Sequence, residues 1–228
     1  PIIKWSAGDD YIVGPTSGAA FRANSYNDWN YEGVSDQGLL FTFDNNVLTV
    51  ASEYGVITAK NIKNIYGTRG DDTMIGDENY QNFRGYGGYD TYTGGVGQDN
   101  FRIQSGYNNI GGSDVLIDHF IRITDFENVD RISIEDYGFS LDDTIAANQF
   151  SVSQDLDKNE TYISIDTDLH TIENLLTIDG IFYLSSFHTE TESSGDINLK
   201  IILDDLAYVS SNGDDVLGPL GEWWEQDV

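Results

Sequence analysis

Four nine-residue units follow one another without a gap between Gly67 and Arg102, in GTRGDDTMIGDENYQNFRGYGGYDTYTGGVGQDNFR. Laid in one register, an aspartate column reads Asp72, Gln81, Asp90, Asp99 and an apolar column reads Met74, Phe83, Tyr92, Phe101. The last unit, Gly94-Gly95-Val96-Gly97-Gln98-Asp99-Asn100-Phe101-Arg102, has glycine at three of its first four positions, which lets the backbone reach φ > 0 and turn tightly. Its last three residues suit a short strand with one inward side chain. Two units make a coil of 18 residues, so every second column residue falls on the same edge of a flattened solenoid. Between stacked turns a hard cation can find its 6–8 oxygens at about 2.3–2.6 Å from carbonyls and carboxylates.

Residues 62–134 resemble the RTX family of calcium-binding, mostly type I secreted bacterial proteins. The lead-in Ile62-Lys63-Asn64-Ile65-Tyr66-Gly67 and the follow-on Arg122 to Ile132 are similar to what flanks the repeats in that family. The resemblance implies ions held between one turn and the turn two units later. A first site then uses the carbonyls of Thr68, Gly70, Gly85 and Gly87 with the carboxylates of Asp72 and Asp90. A second uses the carbonyls of Asp77, Asn79, Gly94 and Val96 with Gln81 and Asp99, where Gln81 removes one charge. A third pairs Tyr86, Gly88 and Asp90 with the carbonyls of Ile103 and Ser105 and with Asn108. Two or three Ca²⁺ ions are therefore expected.

Degenerate copies extend the pattern on both sides. Ser6 to Gly14 aligns with Thr68 to Gly76, which puts Asp10 in the aspartate column and Ile12 in the apolar one. Phe21 lies nine residues on, and Asp28 lies 18 after Asp10, so Asp10 and Asp28 are a further candidate pair. Leu39 to Val50 alternates around Asp44-Asn45-Asn46, a turn signal that predicts a hairpin. Val56 and Ile65 are expected to rejoin the apolar column, with Asn61 to Ile65 as a turn held by asparagine amides. Beyond Arg102, Gly106, Asn108 and Ile110 are expected to continue it, and Asp114 to Ile134 to close the open end with longer strands.

The C-terminal part is expected to be an antiparallel set at Phe150–Gln154, Thr161–Asp166, Ile178–Phe187 and Ile197–Leu203, after a helical turn or two in Leu141 to Gln149. Asn212 to Gly218 resembles half a nonapeptide. The expected fold is all-β: a calcium-binding parallel β-roll over 1–138 with a hairpin inserted near 39–50, and a β-rich capping region over 139–228.

Eleven basic against 39 acidic residues give a net charge of -28, which argues against nucleic acid or an anionic membrane as partner and for cations. Hydrophobic residues at 39% and aromatics at 13% are too many for a disordered acidic tail. Cysteine is absent, so neither disulfides nor thiolate metal sites are available. No apolar run reaches a membrane-spanning length. The chain starts at Pro1 and reads as an excerpt of a longer protein.

Other motifs point away from chemistry. Asp155, Asp157, Asn159 and Asp166 fit the EF-hand loop only in part, with Glu160 where glycine is required; a hairpin with an acidic tip accounts for them better. His119, His170 and His188 are scattered, and no zinc-protease, nucleophile-elbow or phosphate-loop motif is present, so no enzyme is expected. Tyr80, Tyr86, Tyr89 and Tyr92 crowd the repeats, while Trp5, Trp29, Trp223 and Trp224 mark the ends. The expected role is a secreted or bacterial cell-surface module that folds on calcium and supports a larger extracellular protein. A carbohydrate- or peptide-binding adhesin domain and an accessory module of a secreted enzyme are the alternatives.

Overall fold

A computed structural model describes residues 10–13, 18–22, 38–52, 55–104, 106–110, 113–117, 119–135, 137–168, 170–191 and 197–205. Asp28, Ser105, the half-repeat at 212–218 and the four tryptophans lie outside them. The described residues are nearly all β, as expected, with a single helical turn among them.

Its strands are β1 (Asp10–Val13), β2 (Ala19–Arg22), β3 (Leu40–Asp44), β4 (Val47–Ser52), β5 (Gly55–Lys60) and β6 (Ile62–Tyr66). The repeats supply β7 (Thr73–Ile75), β8 (Asn82–Arg84), β9 (Gly88–Thr93) and β10 (Asn100–Gln104). Then come β11 (Gly106–Ile110), β12 (Ser113–Ile117), β13 (His119–Ile123), β14 (Arg131–Glu135) and the helical turn α1 (Asp143–Ala146). The remainder is β15 (Phe150–Asp155), β16 (Glu160–Asp166), β17 (Thr171–Asp179), β18 (Phe182–Thr191) and β19 (Ile197–Asp205).

Two mixed sheets hold nearly all of them, in the orders β1-β5-β4-β3-β7-β9-β13-β17-β16-β15 and β18-β19-β14-β10-β8-β6-β2. From β6 to β10 successive strands go to alternate sheets, and the pairs β6–β8, β8–β10 and β7–β9 are parallel. The single apolar column of the sequence therefore splits in two. Ile65, Phe83, Phe101 and Ile132 stand side by side in one sheet, and Phe41, Met74, Tyr92, Ile123 and Ile178 in the other. Both rows point inward and are buried in one core, where Tyr92 packs across the sheets on Phe83 and Phe101 at ring separations of 5.7 and 6.2 Å. Phe21, buried opposite Ile65, takes its expected place.

Several expectations hold locally. The β3–β4 hairpin turns at Asn45 and Asn46, both at positive φ, as a two-residue turn requires. Asp142 caps α1, its carboxylate accepting from Thr144 N at 2.9 Å. The region matching an EF-hand in part is the β15–β16 hairpin, with Asp155 accepting from the backbone of Asp157 and Lys158.

Others are corrected. Val56 is exposed and Ile57 faces the core, because β5 runs antiparallel to β4 and the coil does not restart there. Ile62–Tyr66 is a strand; the turn lies before it at Asn61, whose φ is 59°, though the Asn64 amide does bond Asn82, at 2.9 Å. Gly106, Asn108 and Ile110 do not continue the column: β11 and β12 form an antiparallel hairpin in a sheet of their own. The register resumes beyond this insertion, with Tyr92 opposite Ile123, 31 residues on rather than 18. The expected strand Ile178–Phe187 is two strands broken at Gly180, where φ is 117°, and β17 was unforeseen. Both sheets run on past residue 138 through the parallel pair β13–β17 and the antiparallel pair β14–β19.

Candidate metal centre

The carboxylates of the aspartate column fold back over the first glycine of their own turn. A Cβ on Gly85 would collide with Asp90 Oδ2, and one on Gly67 with Asp72 Oδ2, so glycine is required there by close approach. From this position each carboxylate also reaches back to an earlier segment of the chain. Asp72 N donates to Asp90 Oδ1 and Gln81 N to Asp99 Oδ1, both at 2.8 Å and both across 18 residues. Leu39 N donates to Asp72 Oδ1 at 2.7 Å, and Asp99 N to Asp130 Oδ1 at 2.8 Å. Two ladders result: Leu39, Asp72, Asp90 along one edge and Gln81, Asp99, Asp130 along the other.

On the first edge every carboxylate oxygen has a partner. Asp72 also accepts from Thr68 N at 2.6 Å and Thr68 Oγ1 at 3.0 Å. Asp90 Oδ2 accepts from the Tyr92 hydroxyl at 3.1 Å and meets His119 Nε2 at 2.8 Å, with both side chains wholly buried. His119 Nδ1 lies 3.3 Å from the Gln104 carbonyl, which can only accept. His119 therefore brings hydrogen-bond capacity from β13 to this edge. Burial first, then the charge of Asp90, pushes Asp72 up to about 7.

The second edge is less complete. Asp130 accepts from Asp99 N and from Glu127 N. Gln81 turns aside to Asp77, its Nε2 donating to Asp77 Oδ1 at 2.6 Å. Asp99 Oδ2 is buried and has no partner. Burial, with Asp130, Asp125 and Asp77 adding like charge, pushes Asp99 up to about 8; burial also raises Asp130 to about 6.

The remaining expected ligands are placed as follows. The Thr68 carbonyl accepts from Tyr86 N at 3.2 Å, and Gly70 N donates to Thr68 Oγ1. Gly85 N donates to the Tyr92 hydroxyl, and Gly87 is buried beside it in the same turn. Gly88 packs on the Gly70 carbonyl, and the Tyr86 ring stacks on Tyr66. Asn79 donates twice to Asp77 Oδ1, which with the Asn46 N–H bonded to Oδ2 holds Asp77 below the usual carboxylate range despite burial. Gly94 N donates to Asp125 Oδ1, and Val96 is exposed. Of the third expected set, Asn108 pairs with Val115 in the β11–β12 hairpin and Ile103 with Ile134, Ser105 lies outside the described residues, and His119 lies beside Asp90. Asp10 opens β1 opposite Ile57.

Sequence reasoning missed Asp130 and His119. The D-x-U spacing of Asp99-Asn100-Phe101 recurs in Asp130-Arg131-Ile132, and His119 shares inward parity with Ile121 and Ile123. Among the described residues no three His, Asp or Glu side chains converge as a metal group, and no helix is long and apolar enough to cross a membrane. No protein-family model matches the chain, and no curated protein is matched by its sequence.

Proposed function

We propose that this chain is a calcium-binding parallel β-roll of RTX type with an antiparallel β-rich cap, a module that folds on calcium outside the cell and supports secretion and folding of a larger extracellular protein. The observation that carries the proposal is Asp99 Oδ2, a buried carboxylate oxygen without a partner on a ladder whose carboxylates repeat across 18 residues. A divalent cation there relieves the like charge of Asp77, Asp125 and Asp130 that raises its proton affinity. In this reading Asp99, with the carbonyls of Asp77, Asn79, Gly94 and Val96, would hold the ion, and Gln81 would join them by leaving Asp77, which its amide bonds in the metal-free chain.

The Asp72–Asp90 edge, with Thr68, Gly70, Gly85 and Gly87, fits less well, because its carboxylates already accept hydrogen bonds and the Thr68 carbonyl is engaged. We assign the first ion to the Asp99 edge and a second to the Asp72–Asp90 edge only if Thr68, Tyr86 and His119 give way. In this role the chain catalyses nothing; calcium exchanges the mutual repulsion of a -28 chain for binding energy. Far-ultraviolet circular dichroism in chelator and in millimolar calcium tests the reading, with calorimetric stoichiometry alongside. The expected result is a β signal that grows with calcium; an identical spectrum with no heat of binding overturns it.

A further inference from the structure

The chain has only eleven Lys and Arg among 39 acidic residues, yet two of them, Arg131 and Lys200, face one cleft. The cleft, about 400 Å³, opens over β10, β14 and β19, with Tyr80 from the turn before β8 towards one end and Glu190 of β18 towards the other. That volume falls within the roughly 300–1,000 Å³ of small-molecule sites.

Its polar groups are already held in place. Lys200 Nζ donates to Ser133 Oγ at 3.0 Å and lies 3.1 Å from Glu190 Oε1. Ser133 Oγ donates to Asn100 Oδ1 at 3.1 Å. With its amide oxygen turned to Arg131, Gln98 accepts from Nε at 3.2 Å and Nη2 at 3.1 Å. Beside them Tyr80 is 42% exposed.

Such a lining mixes fixed donors and acceptors beside a half-exposed aromatic face, which matches a pyranose ring: hydroxyls around its rim and an apolar C–H face. Within the cleft Lys200 is paired with Glu190, and the surrounding -28 field repels anionic ligands. A peptide taken up by strand addition needs an unpaired strand edge, whereas β10, β14 and β19 are paired on both sides. We propose that this cleft binds a neutral hexopyranose unit of a glycan directly, with no ion between sugar and protein. It does not rest on the calcium reading.

The test is a glycan array probed with the whole chain in calcium-containing buffer, followed by titration calorimetry of a retained neutral oligosaccharide. Tyr80→Ala and Arg131→Gln are each expected to weaken binding by about 10-fold at unchanged circular dichroism. Tyr89→Ala, at an exposed ring outside the cleft, is expected to change nothing. Retention of no neutral glycan, retention of acidic glycans alone, or an affinity unmoved in both cleft variants overturns the proposal. Calcium titrated without glycan reads the ion separately, so the two failures are distinguishable.

Discussion

The Asp72–Asp90 edge and the Gln81–Asp99 edge are built from the same nonapeptide and close differently. By carboxylate count the first is the stronger cation site, with two acids against one. Folding reverses the order of availability, because Leu39, Thr68, Tyr92 and His119 bring donors to the first edge while Asp99 Oδ2 on the second is left without one. What a repeat column offers a ligand depends on which residues, inside the repeat and outside it, reach it first.

The sharpest way to break this comparison is at His119. His119→Ala leaves Asp90 buried with two of its three partners, Asp72 N and the Tyr92 hydroxyl, and is expected to cost about 3–5 kcal/mol in urea denaturation, as removing one member of a buried pair does. A loss under about 1 kcal/mol would mean that His119 is not what closes the first edge.

Calcium itself comes next. At a hundredfold excess over its dissociation constant, one ion adds about 2.7 kcal/mol. Hydrogen exchange with and without chelator should show protection lost first at Gln81, Asp99 and Asn100, and later at Asp72 and Thr91. Simultaneous loss would erase the difference between the edges.

Paired substitutions then sharpen it. Asp99→Asn is expected to lower calcium affinity on the order of 10-fold in calorimetry, by removing ligand charge. Asp72→Asn should leave that affinity within about threefold and instead cost about 1–3 kcal/mol of stability, because its one remaining oxygen can serve Leu39 N or Thr68 N but not both.

A pH series has a defined sign. Burial holds Asp99 at about 8, Asp72 at about 7 and Asp130 at about 6. All exceed the ordinary carboxylate value of about 4, so the folded chain keeps these protons more tightly than the unfolded one. The stability they lend to the metal-free chain is full below about pH 4 and is lost as pH rises through those values. Urea midpoints in chelator should fall from pH 5 to pH 8, and less steeply in calcium. The smallest effect belongs to exposed Val96: Val96→Ala should stay within about 0.5 kcal/mol, since only its carbonyl is proposed to matter.

Much of this was legible before folding. Period and alternation gave the all-β class, the inward residues from Ile65 to Phe101 and the Asn45-Asn46 hairpin, since each rests on a local spacing or a turn residue. What local spacing does not carry was lost. The β11–β12 insertion displaces the register without ending it, so Asp130 continued the ladder out of sight of a nine-residue count. His119 reads as one histidine among three until β13 lies against β9 and brings it to Asp90. Val56 was misplaced because a meander changes strand direction where a solenoid does not.

The bonding distances along the chain also set an order of events. Neighbouring coils of the repeats meet across 18 residues, whereas Ser133 and Lys200 meet across 67. Closing the longer loop costs about 1 kcal/mol more in chain entropy, and it has to await a β14 already in place. The short-range coils can zip one after another, with β18–β19 arriving last as a clasp. Denaturation is then expected to run backwards through the same sequence, with release of that clasp as its first step.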